Sequence, residues 1–141
     1  MFLTMVLFLK ITKHLTIQLI IGTKFPIMKI LILDDDNDLC TLLKMFFERK
    51  GYSVLMANTL IDGLNIIDEQ EPVIVFIDNM LPDGEGWKAA KAIKYKHPSI
   101  KINLMSGKDK SFSSTYDEDD FIWEKPITAT QLETYLQFIK K

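Results

Sequence analysis

Four polar side chains each come directly after a short apolar run, and their chemical types could handle a phosphoryl group. The four run-and-residue pairs are 29–33 with Asp34, 73–77 with Asp78, 100–105 with Ser106, and 121–124 with Lys125. If the runs are strands of one parallel sheet, the residues just beyond them share one edge, where open α/β sheets bind ligands. Carboxylates, a hydroxyl and an ammonium would meet there, and such a pocket suits a divalent cation and a phosphoryl group.

The first run is followed by three consecutive acids, Asp34, Asp35 and Asp36. Alone they are a weak signal, because a solvated turn or a helix cap has the same composition. Their place after a buried apolar run, with Asp78 after another, favours a metal site. Carboxylates within a few ångströms of each other raise one another's pKa unless a cation neutralises them, and Mg²⁺ accepts such oxygen ligands together with phosphate.

Asp78, Lys125 and Ser106 are the candidates for phosphoryl chemistry. The carboxylate of Asp78 can act as a nucleophile and form an aspartyl phosphate. Lys125 would stabilise charge on the transferring group, and Ser106 would donate a hydrogen bond to a phosphoryl oxygen. An ordinary surface lysine and an ordinary serine at a strand end are the alternatives for these last two residues.

Apolar runs with strand character alternate with helix-period segments from Met28 onward. This alternation predicts an α/β fold with a doubly wound parallel sheet of five strands and helices on both faces. The segment 107–120 is polar and poor in helix formers, so a loop is expected there. The expected helix-boundary signals are Asp36 or Asn37 as the first cap, Gly51 as a left-handed stop, Asn58 as the second cap, and a capping box of Thr128 with Gln131.

The composition argues against several classes of function. The 141 residues suit one domain, and the net charge of −2 provides no basic field for nucleic acid or an anionic membrane. Cys40 is the only cysteine, which excludes an internal disulfide and suits the cytoplasm; we expect it to be a buried small hydrophobe. His14 and His97 are isolated, so no histidine-based metal site is expected.

The segment 1–27 does not follow the alternating pattern. It is mostly apolar, but Lys10, Lys13 and His14 interrupt it, which argues against a membrane-spanning helix. Its first apolar stretch, 1–9, precedes the charges, whereas a signal peptide begins with basic residues. The favoured interpretation is a gene-model extension with Met28 as the natural start; an arm that associates with a membrane is the alternative. Residues 28–141 are expected to form the single domain.

The strand-end motifs together resemble the receiver domain of two-component response regulators. They occur in the family's order and at near-usual spacing between Met28 and the C-terminus. The resemblance implies a flavodoxin-like fold with strand order 2-1-3-4-5, and a stand-alone receiver without a DNA-binding module. The stretches that carry the resemblance are 31–36, 76–86, 104–107 and 124–126.

The resemblance also implies a phosphoryl acceptor and a set of metal ligands. Asp78 would accept a phosphoryl group from a phosphohistidine on a sensor histidine kinase or a histidine phosphotransfer protein. Asp35 would bind Mg²⁺ directly and Asp34 mainly through water. Asp78 and the backbone carbonyl of Met80 would complete the protein ligands.

Ser106 and Lys125 receive roles from the same resemblance. The hydroxyl of Ser106 would move toward the phosphoryl group, Lys125 would pair with it, and the Lys125–Pro126 bond is expected to be cis. Output would pass through contacts with a downstream protein target and not through direct nucleic-acid binding. The protein would not be an enzyme acting on external substrates: its chemistry would be limited to phosphorylation of itself, including from small donors, and slow loss of that group.

Two features depart from the family pattern. Receivers commonly have an aromatic residue three positions before the lysine, where this chain has Ile122, with Phe121 one position earlier. Either a bulge restores Phe121 to that switch position, or the aromatic switch is absent. The segment from Ser106 to Asp120 is also shorter than usual, so the fourth helix is expected to be short or replaced by a loop.

Two other hypotheses compete with a working receiver. A degenerate receiver would act as a phosphorylation-independent interaction module through the surface of 107–122; the complete set of acids with Ser106 and Lys125 disfavours it. An aspartyl-phosphate hydrolase resembling the haloacid dehalogenases would need a second acid two residues after the nucleophile. Met80 stands at that position, which disfavours turnover of external substrates.

Overall fold

Eleven elements of secondary structure make up the described part of the chain. A computed structural model describes residues 26–107 and 120–140. The elements, numbered in chain order, are β1 (Lys29–Leu33), α1 (Asn37–Arg49), β2 (Ser53–Ala57), α2 (Leu60–Gln70), β3 (Ile74–Asp78), β4 (Met80–Leu81), β5 (Gly84–Glu85), α3 (Gly86–Lys96), β6 (Lys101–Ser106), β7 (Phe121–Glu124) and α4 (Ala129–Ile139).

Five parallel strands form the main sheet in the order β2-β1-β3-β6-β7. Counted along the chain among these five, the order is 2-1-3-4-5, so the predicted doubly wound, flavodoxin-like topology is confirmed. The chain runs from β1 out to β2 and then returns past β1 to β3, so the winding reverses between β1 and β3. The segment 80–85 forms a small antiparallel hairpin of β4 with β5.

Each face of the sheet carries its own apolar layer. Ile30 and Phe76 belong to a cluster with side chains of α1 and α4, whereas Leu31 and Ile77 belong to a cluster with side chains of α2 and α3. Every residue of β3 is buried, as expected for a central parallel strand covered on both faces. Helices on both faces therefore hold the central strands, whose carboxyl ends carry the candidate site.

Three helix boundaries follow the local signals in the sequence. The carboxylate of Asp36 accepts hydrogen bonds from the backbone of Asp38 and Leu39, which makes Asp36 the cap of α1. Gly51 adopts a φ of 91° just beyond α1, the left-handed conformation that stops a helix. The predicted capping box of Thr128 with Gln131 is present at α4.

The prediction that Asn58 caps α2 is wrong. Thr59 is the cap, and its hydroxyl accepts a hydrogen bond from the backbone N–H of Asp62 at 3.3 Å. The amide of Asn58 instead donates to the backbone carbonyl of Asp34 at 2.8 Å and to the side-chain oxygen of Asn37 at 3.0 Å. Asparagine is a common helix cap, but the side chain of Asn58 makes these two tertiary hydrogen bonds instead.

The register of β7 shows which residue lies at the switch position three residues before Lys125. The strand pairs with β6 without a bulge, with Phe121 opposite Asn103 and Ile122 opposite Leu104. Phe121 packs on the α4 side, where its ring centroid lies 4.9 Å from that of Tyr135. Ile122 is 45% exposed. The alternative in which a bulge restores Phe121 to the switch position is therefore wrong, and Ile122 stands there.

Some of the other sequence predictions concern residues that the structure describes, and some do not. Cys40 is buried, as predicted. None of the helices formed by residues 26–107 and 120–140 has the length and apolar character needed to cross a bilayer. The segments 1–25 and 108–119 lie outside the described residues, so the predictions of an N-terminal extension and of a loop in place of the fourth helix remain predictions.

A buried amide joins β6, β7 and α4 within the apolar layer next to α4. The side-chain oxygen of Asn103 accepts a hydrogen bond from the indole N–H of Trp123 at 2.9 Å, and its amide donates to the hydroxyl of Tyr135 at 2.8 Å. Asn103 has no exposed surface. Burial raises the pKa of Tyr135 to about 12, so its hydroxyl stays protonated throughout the neutral range.

Replacing Asn103 by leucine is expected to lower the free energy of unfolding by about 1–3 kcal/mol, because two buried polar groups lose their partner. Urea unfolding would measure the loss. In a Tyr135→Phe background the same Asn103→Leu change should cost less, because one of the two groups left unpaired is then absent. Equal costs in the two backgrounds would contradict an energetic coupling between Asn103 and Tyr135.

Candidate functional site

The structure brings all four predicted strand-end residues to one edge of the sheet. Asp34 directly follows β1, Asp78 ends β3, Ser106 ends β6, and Lys125 directly follows β7. These strands are neighbours in the parallel sheet, so their carboxyl ends lie side by side. The reversal of winding between β1 and β3 lies at the centre of this edge, where doubly wound sheets form their ligand crevice.

Three carboxylates at this edge are close enough to share one cation. Asp34, Asp35 and Asp78 each offer one oxygen, and these oxygens all lie within 4.8 Å of one another. Asp34 has no exposed surface and Asp78 is 5% exposed, whereas Asp35 is exposed. The cluster therefore has two carboxylates fixed in the protein interior and one that faces solvent.

The ammonium of Lys125 links the two buried carboxylates. Its Nζ lies 2.6 Å from Oδ2 of Asp34 and 3.1 Å from Oδ1 of Asp78. The backbone N–H of Lys125 donates to the carbonyl of Ser106 at 2.8 Å, and the Lys125–Pro126 bond is cis, as the resemblance implied. Lys125 is thus no ordinary surface lysine.

The pKa values at the site reflect burial and the crowding of like charges. Burial raises the pKa of Asp78, and the charge of Asp34 raises it further, while hydrogen bonds from Lys125 and from the backbone of Met80 offset part of the change. Burial lowers the pKa of Lys125, but its hydrogen bonds to Asp34 and Asp78 outweigh this and leave the pKa above its usual value. A second cation beside these carboxylates would relieve the remaining repulsion.

Neighbouring backbone and amide groups hold Asp34 in place. Its carboxylate accepts a hydrogen bond from the backbone N–H of Asp36 at 3.0 Å, and its own backbone N–H donates to the carbonyl of Ala57 at 3.1 Å. Asn58 donates to the carbonyl of Asp34 at 2.8 Å. We did not predict this role of Asn58 from the sequence, because no local pattern relates two residues 24 positions apart.

Asn79 fastens the loop that begins at the phosphoacceptor candidate. Its backbone N–H donates to the carbonyl of Met105 at 3.3 Å, and its carbonyl accepts from the N–H of Gly86 at 3.0 Å. Its side-chain oxygen accepts from the backbone N–H of Trp87 at 3.3 Å, and the Trp87 indole donates to the carbonyl of Met105 at 3.2 Å. Sequence reasoning missed Asn79 and Trp87, whose partners are set by the fold.

The chemistry of the pocket follows from this arrangement. The buried carboxylate of Asp78 contacts the ammonium of Lys125. Asp34 and Asp35 could supply oxygen ligands for a divalent cation next to it. Ser106 is a buried hydroxyl at the adjacent strand end. The fold and the site together define a doubly wound α/β protein with an acidic, lysine-containing pocket at the carboxyl edge of its sheet.

The family follows from comparison with known proteins. The sequence profile of the response regulator receiver domain matches residues 30–137. The chain therefore belongs to the response regulator receiver domain family.

Solved structures of receiver domains share this fold. A CheY-like receiver domain protein from Methanospirillum hungatei is 25% identical, with a TM-score of 0.71 over 81% of this chain and 94% of that chain. A two-component response regulator from Clostridium difficile is 28% identical, with a TM-score of 0.70 over 80% of this chain and 95% of that chain. A receiver protein from Sinorhizobium medicae, at 22% identity and a TM-score of 0.73 over 82% of this chain and 96% of that chain, supports the fold alone.

Proposed function

We propose that this receiver accepts a phosphoryl group on Asp78 with the help of Mg²⁺. The observation that carries the proposal is the contact of Lys125 Nζ with Asp78 Oδ1 at 3.1 Å, inside a pocket that two further carboxylates line. Asp78 thus has a cationic partner in contact with its carboxylate and, within 4.8 Å, carboxylate oxygens that could hold a metal. Membership of the receiver family supports the same assignment.

The donor set fits magnesium. Hard oxygen ligands from one or two carboxylates, a carbonyl and water are what Mg²⁺ takes in phosphoryl sites. Asp35 would hold the ion directly, Asp34 mainly through water, and Asp78 with the backbone carbonyl of Met80 would complete the protein ligands. When bound, the ion would neutralise charge on the phosphoryl oxygens.

Asp78, Lys125 and Ser106 would each have a separate role in phosphoryl transfer. One carboxylate oxygen of Asp78 bonds to phosphorus while the phosphorus–nitrogen bond of a phosphohistidine donor breaks and its electron pair returns to the imidazole. The ammonium of Lys125 would transfer its pairing from the Asp78 carboxylate to the new phosphoryl oxygens. The hydroxyl of Ser106 would donate a hydrogen bond to one of those oxygens.

The partners follow from this chemistry. The donor would be a sensor histidine kinase or a histidine phosphotransfer protein in the cytoplasm, and the output would be contact with a downstream protein target. Direct binding of nucleic acid is not part of the proposal, and contact with a membrane would require that the segment 1–27 is native. Catalysis would be confined to phosphorylation of Asp78, also from small donors, and to slow hydrolysis of the product.

Intact-mass spectrometry after incubation with acetyl phosphate tests the proposal. We expect the wild type to gain one phosphoryl group with Mg²⁺ and none when the metal is chelated. Asp78→Asn should gain none, because an amide is not a nucleophile for phosphorus. As a matched control, Asp68→Asn makes the same change in an exposed acid of α2 that pairs with Lys96 and His97, and it should be phosphorylated like the wild type.

A different result would support the competing function. If the wild type gains no phosphoryl group, the result would favour a degenerate receiver that works as a phosphorylation-independent interaction module. The exposed Ile122 at the position of the aromatic switch is the observation that favours this second candidate. Phosphorylation of Asp78→Asn at the wild-type rate would instead place the acceptor elsewhere in the chain.

A further inference from the structure

The β4–β5 hairpin is tied to the start of a helix by one exposed carboxylate. Asp83, at the hairpin tip, accepts hydrogen bonds from the backbone N–H groups of Leu60 and Ile61 at 2.6 and 2.9 Å. These are the first two residues of α2, whose N–H groups have no partner within the helix. The two bonds hold the pKa of Asp83 below its usual value. A carboxylate from another loop thus completes the cap of α2.

The same hairpin is fixed at its base and along one side. Asn79 and Gly86 close the base through the 3.0 Å hydrogen bond between their backbones. Leu81 is buried in the apolar layer next to α2 and α3, and Gly84 approaches Leu60 so closely that an added Cβ would lie 3.0 Å from a Leu60 methyl carbon. Asp83 therefore anchors the exposed turn of the hairpin, between Leu81 and Gly84.

Met80 lies in the hairpin between its base, at Asn79, and its turn, at Asp83. It pairs with Glu85 in the hairpin, and its backbone N–H donates to Oδ2 of Asp78 at 3.2 Å. Its side chain is exposed, so packing does little to fix this residue. The position of the Met80 backbone thus depends on the hairpin, and the hairpin tip depends on Asp83.

We propose that Asp83 is a positioning residue for the metal and phosphoacceptor site, acting through the hairpin that carries Met80. The inference rests on the proposed function, in which the Met80 carbonyl is a ligand of Mg²⁺. Charge-assisted hydrogen bonds of 2.6 and 2.9 Å are among the stronger ones. Supporting groups of this kind change metal affinity when they are removed, because the ligands lose their orientation.

The test compares Asp83→Ala with a variant that weakens the same helix end without touching the hairpin. Thr59→Ala is that control, because the Thr59 hydroxyl caps α2 through Asp62. Mg²⁺ affinity is measured by isothermal titration calorimetry, and the phosphorylation rate with acetyl phosphate is measured across a Mg²⁺ titration. Asp83→Asn, which keeps one acceptor oxygen, is the conservative variant and the fallback if Asp83→Ala does not fold.

Asp83→Ala is expected to raise the Kd for Mg²⁺ by about tenfold. The Mg²⁺ concentration needed for half-maximal phosphorylation should rise with it, while the rate at saturating Mg²⁺ changes less. Asp83→Asn should fall between Asp83→Ala and the wild type. Thr59→Ala should lower the unfolding midpoint yet keep the wild-type Kd.

Three results would overturn the inference, and they are distinguishable. Wild-type Mg²⁺ affinity in Asp83→Ala, or an equal loss of affinity in Thr59→Ala, would show that Asp83 only caps a helix. A wild type that binds no Mg²⁺ would overturn the proposed function together with this role of Asp83.

Discussion

Replacing Lys125 by methionine is expected to lower the free energy of unfolding by about 3 kcal/mol in metal-free buffer. The ammonium lies 2.6 Å from an oxygen of Asp34 and 3.1 Å from one of Asp78, and the Asp34 side chain has no exposed surface. Without the ammonium, two neighbouring buried carboxylates lose the cation that offsets their charges. The Lys125 side chain is 23% exposed, so solvent screens part of the interaction and the loss lies at the lower end for buried ion pairs.

The same variant should respond more strongly to Mg²⁺ than the wild type does. In the wild type the ammonium already neutralises part of the charge that the metal would neutralise. A ligand that binds only the folded state adds stability that grows with its affinity. The increase in unfolding free energy on adding Mg²⁺ should therefore be larger for Lys125→Met. Urea unfolding with chelator and with saturating Mg²⁺ measures both effects.

Lys50→Met is the matched control for this experiment. Lys50 pairs with Glu133 between α1 and α4, with side chains that are 33% and 46% exposed. Exposed pairs contribute about 0–1 kcal/mol, and this one lies outside the acidic pocket. The control should therefore lose little stability and respond to Mg²⁺ as the wild type does. A Lys125→Met protein as stable as Lys50→Met without metal would contradict the pairing.

Gly86→Ala is expected to destabilise the protein by about 3 kcal/mol, the upper end for overpacked interiors. A Cβ at this position would lie 2.1 Å from the backbone carbonyl oxygen of Asp78 and 2.7 Å from Cγ1 of Ile77. A backbone carbonyl cannot rotate away as a side chain can, so either α3 or the end of β3 must shift. The better helix propensity of alanine offsets less than about 1 kcal/mol of this cost.

The clash at Gly86 also affects the proposed phosphoacceptor. Because the affected carbonyl belongs to Asp78, relief of the clash displaces the residue that would accept the phosphoryl group, and the acetyl phosphate reaction should slow along with the loss of stability. Gly107→Ala is the control, since among residues 26–107 and 120–140 no atom outside its chain neighbours lies within 4 Å of an added Cβ there. Wild-type unfolding in Gly86→Ala would mean that α3 can move away from β3 at little cost.

Much of the fold could be predicted because its signals are local. Asp36, Gly51 and the pair of Thr128 with Gln131 mark helix ends through contacts within a few residues of themselves. The buried strands stand out as unbroken apolar runs. The expected gathering of Asp34, Asp78 and Lys125 at one edge followed from strand polarity alone, since parallel strands place their carboxyl ends together.

The failures and omissions have a common cause. Asn58 has the composition of a helix cap, yet it serves the backbone of Asp34 on another strand end. Asp83 caps a helix that begins 23 residues earlier in the chain, and Asn103 bonds to Tyr135 at a separation of 32 residues. Local patterns do not encode such partners, because they depend on how strands and helices pack.

The sequence by itself determined which residues form strands and helices and which chemical groups stand at the strand ends, because periodicity and capping act between near neighbours in the chain. Only the tertiary structure decided how those groups are used. Lys125 and Asp34 are 91 residues apart in the chain, and their contact exists because β1, β3, β6 and β7 lie in one order and one register. The register of β7 likewise determined that Ile122, and not Phe121, stands at the exposed position before the lysine.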